Sequence, residues 1–137
     1  MIKVTEKLKL LMLVSKAEAI ISRKFQSQGL SLIDVMVLYA ISEASEEKMR
    51  CVDLADRVGL TASGVTRLLG PLEKFGVIKR VSNEYDARSS YIVLTYSGKT
   101  MLKDAVNIMG EQCEDLIPST KDTELSDANR ILKVIAG

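Results

Sequence analysis

The stretch DLADRVGLTASGVTRLLGPLEKFGVIKRV, residues 53–81, decides the fold. A short helix over residues 52–58 ends at Gly59, and Thr61 is a good N-cap for a second helix. The second helix divides into an apolar face and a polar face, which are Val65, Leu68, Leu69, Leu72 and Phe75 against Ser63, Thr66, Arg67 and Gly70. Two helices joined by a tight turn that contains glycine predict a helix-turn-helix, whose second helix enters the DNA major groove.

The polar face of this second helix carries short hydroxyl side chains and one arginine, so it can approach another surface closely. Ser63, Thr66 and Arg67 fall in the first two turns, where base edges and phosphates are within reach, and Lys74 follows near the end of the helix. We therefore predict these four residues to be DNA-binding. The alternative is an ordinary solvated helix face. We expect a single helix with a kink at Gly70-Pro71, because the apolar period continues across the proline.

The segment after Gly76 predicts a β-hairpin. Residues 77–81 and 91–94 are β-prone, and residues 82–90 between them form a polar loop. A helix-turn-helix followed by a hairpin is a winged helix, so we expect Arg88 on the wing to enter the minor groove. Asp86 is repelled by phosphates and is predicted to shape the wing through backbone hydrogen bonds or an arginine. An arbitrary surface Asp and Arg is the alternative.

Charge is distributed unevenly along the chain. The 137 residues carry a net charge of only +1, but residues 48–103 contain ten basic and five acidic residues, a net charge of +5. A basic middle with neutral or acidic ends predicts that one part of the domain meets a polyanion. Chance clustering is the alternative.

The composition argues against an enzyme. With 47% hydrophobic and 27% charged residues, the chain has the composition of one globular domain. It contains no histidine, which removes the commonest metal ligand and the commonest general base together. We predict no metal and no other cofactor. No apolar stretch approaches the roughly 20 residues that a bilayer requires, and early charges argue against a signal peptide, so we expect a cytoplasmic protein without a membrane partner.

The two cysteines form no C-x-x-C motif. Cys51 stands at the start of a predicted helix beside Arg50, an arrangement that can activate a thiol, so a redox-sensing role for Cys51 stays open. A buried, inert side chain is the commoner fate of a lone cysteine, and Cys113 falls on an apolar stripe where burial is expected.

The ends of the chain predict apolar helices. Residues 4–26 read as a long helix that Gly29 can end as a C-cap, and Ser31 with Asp34 resembles a capping box. The helix behind that box has apolar residues at helical spacing, namely Leu32, Val35, Met36 and Tyr39. A further helix opens at Ser97 and Gly98 with a nearly heptad stripe of Leu102, Ala105, Val106, Met109, Cys113 and Leu116. Pro118 interrupts, and the last helix carries Leu125, Ala128, Ile131, Leu132 and Ile135.

This apolar surface exceeds what a small core needs. We predict a two-fold homodimer within a single domain of residues 1–137, in which residues 1–28 and 97–137 form dimerisation helices around a winged-helix core of residues 31–96. Packing of these helices within a monomer is the alternative.

The sequence resembles the MarR family of bacterial transcriptional regulators. The resemblance rests on residues 53–81, on the Asp-x-Arg of Asp86 and Arg88, and on LTYSG, residues 94–98, which is similar to the family's Leu-Thr-x-x-Gly junction. It implies a mainly α fold with a small β-hairpin wing (α+β), a winged helix-turn-helix with N- and C-terminal dimerisation helices. It also implies a repressor that binds a pseudo-palindromic operator in double-stranded DNA as a homodimer, with Ser63, Thr66 and Arg67 in the recognition helix and Arg88 at the wing tip.

The resemblance further implies release by a small phenolic or anionic effector, in a crevice that the elements of Ser15, Met36 and Tyr39 should border. The chain departs from the family in two places. Ser89 and Ser90 stand where many relatives have a further basic residue, and the Gly70-Pro71 pair is not general. A winged-helix protein-interaction module that does not bind DNA is the alternative function.

Overall fold

The computed structural model describes residues 1–117 and 121–137, apart from the side chains of Ala87 and Arg88. The predicted interruption at Pro118 lies outside the described residues. The helices are α1 Glu6–Lys24, α2 Leu32–Glu43, α3 Cys51–Val58, α4 Ala62–Lys74, α5 Tyr96–Leu116 and α6 Asp122–Ala136. The strands are β1 Gln26–Ser27, β2 Leu30–Ser31, β3 Lys48–Arg50, β4 Ile78–Asn83 and β5 Asp86–Leu94, and Ser45–Glu47 forms a 3-10 turn. The predicted fold class, mainly α with a small β wing, is confirmed.

The helix-turn-helix forms as the sequence predicts. Gly59 ends α3 in the left-handed region, at φ +73°, which glycine adopts without strain. Thr61 then caps α4, because its hydroxyl accepts a hydrogen bond from the Gly64 amide at 3.0 Å. The two helices meet through fully buried Leu54, Val65 and Leu69. The turn and the cap therefore fix the angle at which α4 leaves the core.

Helix α4 continues through Gly70-Pro71 as a single helix, as predicted, whereas the predicted kink stays a prediction. The prediction that Phe75 belongs to its apolar face is wrong, because 76% of Phe75 is exposed. The helix ends at Lys74, and Gly76 turns the chain at φ +75°. Phe75 thus leaves the helical register just before the chain reverses.

The wing is a three-stranded antiparallel sheet in the order β3-β5-β4. The predicted loop over residues 82–90 is wrong, because β4 extends to Asn83 and β5 begins at Asp86, which leaves Glu84 and Tyr85 as the turn. The β-prone cores of both strands were recognised, but cross-strand hydrogen bonds extend the ladder into polar residues. Strand β3 was not predicted. Its three residues are too few for an alternating pattern, and they form a strand by pairing with β5.

The connection between α1 and α2 is a small hairpin. The prediction that Gly29 caps α1 is wrong, because Phe25 is the C-cap. Gly29 at φ +82° and Gln28 at φ +53° instead form the two-residue turn between β1 and β2, where both positions require positive φ. The predicted capping box is confirmed, with the Ser31 amide 2.9 Å from Asp34 Oδ2 and the Asp34 amide 3.3 Å from Ser31 Oγ.

The core is centred on α2, which packs against α3, α5 and β5. Val37, Leu38 and Ile41 are fully buried. Met36 and Tyr39, which the spacing placed with the apolar residues, are 42% and 51% exposed. Cys113 on α5 is also exposed, contrary to the expected burial. No described element of this chain covers these positions.

The start of α5 is held against the connection between α4 and β4. The helix begins at Tyr96, slightly before the predicted Ser97, with Thr95 as its N-cap, and the Thr95 hydroxyl accepts from the Gly98 amide at 3.0 Å. That hydroxyl also lies within hydrogen-bonding distance of the Gly76 and Val77 carbonyls. A Cβ on Gly98 would lie 2.0 Å from the Val77 oxygen, so only glycine fits. The Leu-Thr-x-x-Gly spacing is therefore a packing requirement.

Helices α1 and α6 bury no residue within the chain. Their exposed apolar side chains include Leu8, Leu11, Met12, Leu13, Ile131, Leu132 and Ile135. The accessible surface of the chain is 10232 Å², whereas a compact monomer of this mass exposes about 7,100 Å². No helix in the described part of the chain is long and apolar enough to cross a membrane.

Candidate nucleic-acid interface

The first two turns of α4 present the predicted contact residues to solvent. Ser63, Thr66 and Arg67 are all exposed. The Thr66 hydroxyl donates to the Ala62 carbonyl at 3.0 Å, and Ser63 Oγ lies 3.3 Å from Thr61 Oγ1. These bonds hold the hydroxyl groups close to the helix, and each hydroxyl oxygen can still accept a hydrogen bond from outside. The surface is therefore a shallow polar face beside a single guanidinium group.

The basic residues of this region divide into paired and unpaired groups. Arg50 bonds Asp53 at 2.9 Å, and Arg80 bonds Glu73 at 3.2 Å. The Asp53 carboxylate raises the pKa of Arg50 further above its ordinary value. Among the described side chains of residues 51–83, four exposed cations form no ion pair, namely Arg57, Arg67, Lys74 and Lys79. These four can attract a polyanion without first losing an internal carboxylate.

Lys74 occupies a different position from the other predicted α4 contacts. It is the last residue of α4, beyond Pro71, and the rise of a helix separates it from Ser63 by about 16 Å. The sequence placed all four residues in one set. In the structure, Lys74 and Ser63 therefore stand at opposite ends of the helix.

The wing turn is organised by Asn83, which is not among the predicted site residues. The Asn83 side chain accepts from the Tyr85 amide at 2.9 Å and donates to Ser89 Oγ at 3.0 Å. A register shift between Ser82 and Asn83 bends the strand at the same point. Asparagine before a tight turn is typical of this geometry, and that was the available signal.

The two predicted wing residues lie in β5 rather than in a loop. The backbone of Asp86 pairs with Asn83, and its carbonyl accepts from Ser89 Oγ at 3.4 Å. The wing-shaping role of the Asp86 side chain stays a prediction. The side chain of Arg88 lies outside the described residues, so its predicted DNA contact also stays a prediction.

Cys51 begins α3 and is partly buried against the core. The arginine expected beside its thiol was Arg50, but that guanidinium pairs with Asp53. Arg80 approaches instead, with Nη1 3.7 Å from Cys51 Sγ. A redox role for Cys51 stays a prediction.

A cavity of about 310 Å³ lies where α2, α5 and β5 meet. Leu94, Leu102 and Val106 provide its apolar wall, and Tyr39 stands at its α2 side. Lys99 and Lys103 also line it, since residues four apart share one helix face. Of the three residues considered for a crevice, Tyr39 lines this cavity, whereas Ser15 and Met36 are not part of its lining. The spacing of Lys99 and Lys103 on α5 is a sequence signal that could have indicated this cavity, although neither residue was among the predicted site residues.

Comparison with known proteins agrees with the fold. The sequence profile of the MarR family matches residues 28–89. The HTH-type transcriptional regulator SarZ of Staphylococcus haemolyticus is 30% identical over 111 residues, which cover 81% of this chain and 74% of that protein. The crystal structure of the transcriptional regulator BldR from Sulfolobus solfataricus superposes with a TM-score of 0.82 at 27% identity, covering 97% of this chain and 99% of that one.

Sco3205, a MarR family transcriptional regulator from Streptomyces coelicolor solved in complex with DNA, has the same fold. Its TM-score is 0.81 at 18% identity, covering 99% of this chain and 89% of that one. The profile match lies on the helix-turn-helix and wing, and the SarZ similarity extends over most of the chain. The chain therefore belongs to the MarR family of winged helix-turn-helix transcriptional regulators, which are not enzymes.

Proposed function

We propose that this protein is a sequence-specific DNA-binding repressor that occupies a pseudo-palindromic operator as a homodimer. The observation that carries the proposal is the exposed face of α4 formed by Ser63, Thr66 and Arg67. Among the described side chains, no carboxylate forms an ion pair with Arg67. The DNA complex of Sco3205 supports a nucleic-acid role for this fold.

The contacts follow from the position of each residue. The first two turns of α4 enter the major groove, where Arg67 can donate two hydrogen bonds to a guanine or to a phosphate. Lys74, at the far end of the helix, contacts backbone phosphates rather than the bases that Ser63 reaches. The wing enters the minor groove with Arg88, while Asp86 and Asn83 keep the turn in shape.

The dimer is formed by the terminal helices, of which α1 and α6 have no fully buried residue within the chain. The excess of about 3,000 Å² over a compact monomer is large enough for a stable homodimer interface, which buries about 2,000–5,000 Å² in total from both subunits. Apolar side chains on α1 and α6 supply that interface. A two-fold axis through it presents two α4 helices to half-sites about 34 Å apart.

A small molecule bound in the cavity between α2 and α5 regulates this binding. Two lysines beside an apolar wall suit a phenolic or anionic compound whose body is apolar. Occupation of the cavity lowers affinity for the operator and releases the repressor.

The test is selection of bound duplexes from a random-sequence DNA pool at moderate salt. We expect an inverted repeat, with weaker binding by Arg67→Ala and by Arg88→Ala. Lys3→Ala removes an exposed cation outside the six helices and should bind as the parent does. Each lost phosphate contact reduces the log-log salt slope by about 0.9. If no sequence is enriched and no binding occurs at low salt, DNA binding is refuted. The alternative function, a winged-helix protein-interaction module, is then favoured.

A further inference from the structure

The turn Ser45–Glu47 has a strained backbone. Glu46 has φ +58° and ψ 19°, and Glu47 has φ +53°. Two consecutive residues other than glycine in the left-handed region are uncommon, because the Cβ atom crowds the backbone there. Such a conformation persists only where the surroundings hold it in place, and it is concentrated in segments that switch. The contacts of this turn therefore indicate what keeps it strained.

Two ion pairs hold the turn. Glu46 Oε2 lies 2.8 Å from Lys48 Nζ, and that lysine lowers the pKa of the Glu46 carboxyl below its ordinary value. Glu47 Oε2 lies 2.9 Å from Lys99 Nζ on α5. Among the described residues, the Glu47 pair is the one ion pair that joins the turn to α5.

The Glu47–Lys99 pair is accessible to a competitor. The two side chains are 56% and 55% exposed, and both line the cavity between α2 and α5. An ion pair in that setting is weak, because water screens it. A carboxylate that enters the cavity meets the same ammonium group. Two carboxylates beside one ammonium repel each other, so an incoming anion competes with Glu47 for Lys99, and Lys103 in the same cavity lining adds to the attraction for the anion.

The turn leads directly into the DNA-binding elements. Residue 48 begins β3, which pairs with β5 of the wing through Lys48 and Val93. Residue 51 begins α3, the first helix of the helix-turn-helix. A change of backbone at Glu46 and Glu47 therefore reaches both the wing and α3 within five residues.

We propose that the Glu47–Lys99 ion pair is a latch on this strained turn, and that a small apolar monoanion in the cavity opens the latch by taking Lys99 from Glu47. Opening lets the left-handed residues relax, which loosens β3 from the wing and shifts the start of α3. The proposal rests on the proposed effector role of the same cavity and supplies its mechanism.

Hydrogen exchange followed by mass spectrometry on the full chain without DNA tests the latch. We expect Glu47→Gln to accelerate exchange over residues 45–50 by roughly two- to fivefold, the range that an exposed ion pair allows. The exchanged pair, Glu47→Lys with Lys99→Glu, should restore slow exchange. Lys9→Met, which removes the exposed pair with Glu6 on α1, should leave residues 45–50 unchanged.

Sodium benzoate is the probe for release, with benzamide as its neutral counterpart. Benzoate should accelerate exchange over residues 45–50 in the parent chain, benzamide should not, and Lys99→Met should show no response to benzoate. Parent-like exchange in Glu47→Gln overturns the latch. Absence of a benzoate effect on the parent, or an equal effect on Lys99→Met, overturns the release step. Because no DNA is present, failure of the operator selection leaves these outcomes unchanged.

Discussion

Substitution of Gly98 by alanine tests the packing of α5 against the connection between α4 and β4. The new Cβ would lie 2.0 Å from the Val77 oxygen and 3.0 Å from the Val77 carbonyl carbon. Both partners are backbone atoms, so no side chain can rotate away. The start of α5 must move by roughly 1.5 Å to reach van der Waals contact.

The free-energy change can be worked out from the local contacts. Overpacking that shifts a backbone costs about 2–3 kcal/mol. The same movement weakens two bonds of the Thr95 hydroxyl, the one that it accepts from the Gly98 amide and the one that it donates to the Gly76 or Val77 carbonyl, at about 0.5–1 kcal/mol each. Alanine also lowers the conformational entropy of the unfolded chain, which stabilises the folded protein by at most about 1 kcal/mol. We expect a net destabilisation of about 3 kcal/mol.

Urea unfolding followed by far-ultraviolet circular dichroism, at a fixed protein concentration, measures this loss. With a slope of about 2 kcal/mol per molar, the unfolding midpoint should fall by about 1.5 M. Gly110→Ala is the matched control on the same helix, because its Cβ meets nothing within 4 Å, and it should be neutral or stabilising by about 0.5 kcal/mol. An unchanged midpoint for Gly98→Ala would refute the packing argument.

Three further substitutions test other parts of the structure. Thr61→Ala removes the hydroxyl that caps α4 and should destabilise the protein by about 1 kcal/mol in the same urea assay; an unchanged midpoint contradicts the cap. Asn83→Ala removes both bonds that order the wing turn and should weaken operator binding by roughly fivefold, about 1 kcal/mol, as a filter-binding titration can show; parent-like affinity excludes the positioning role. Leu132→Asp places a charge on the exposed apolar face of α6 and should convert the dimer to a 15.1 kDa monomer in sedimentation; an unchanged mass rejects α6 as the interface.

The helix-turn-helix was predictable because its signals are local. Gly59, Thr61 and the Ser31–Asp34 box act through atoms within four residues of each other, so the sequence alone specifies them. The apolar period of α4 carried the prediction of a single helix across Pro71. Local signals also located the two β-prone cores of the wing.

The errors fall where distant residues decide the structure. Strand β3 exists only because it pairs with β5, some forty residues later. The ends of β4 and β5 are set by the ladder and by the Asn83 bonds, not by β propensity. Gly29 has the positive φ that a C-cap needs. The pairing of β1 with β2, however, places Gly29 in the hairpin turn instead of at the end of α1.

The candidate site shows the same division. Periodicity identified the α4 face, whereas the cavity required α2, β5 and α5 to meet in three dimensions. The strained turn at Glu46 and Glu47 carries no sequence signal, because glutamate is not a residue that favours positive φ. The exposure of Met36, Tyr39 and Cys113 was mispredicted. An apolar stripe in a sequence does not show whether the surface that packs on it belongs to the same chain or to another one.

The terminal helices determine where proteases cleave the protein. Helices α1 and α6 have no fully buried side chain within their own chain, and most of the stability of a helix in a protein comes from the packing of its apolar face. Cleavage in a dilute sample should therefore begin in α1 and α6 and spare the winged-helix core. Protection of the two ends would rise with the concentration of the protein itself. Cellular lifetime would then depend on abundance, so that a scarce regulator is also the one removed fastest.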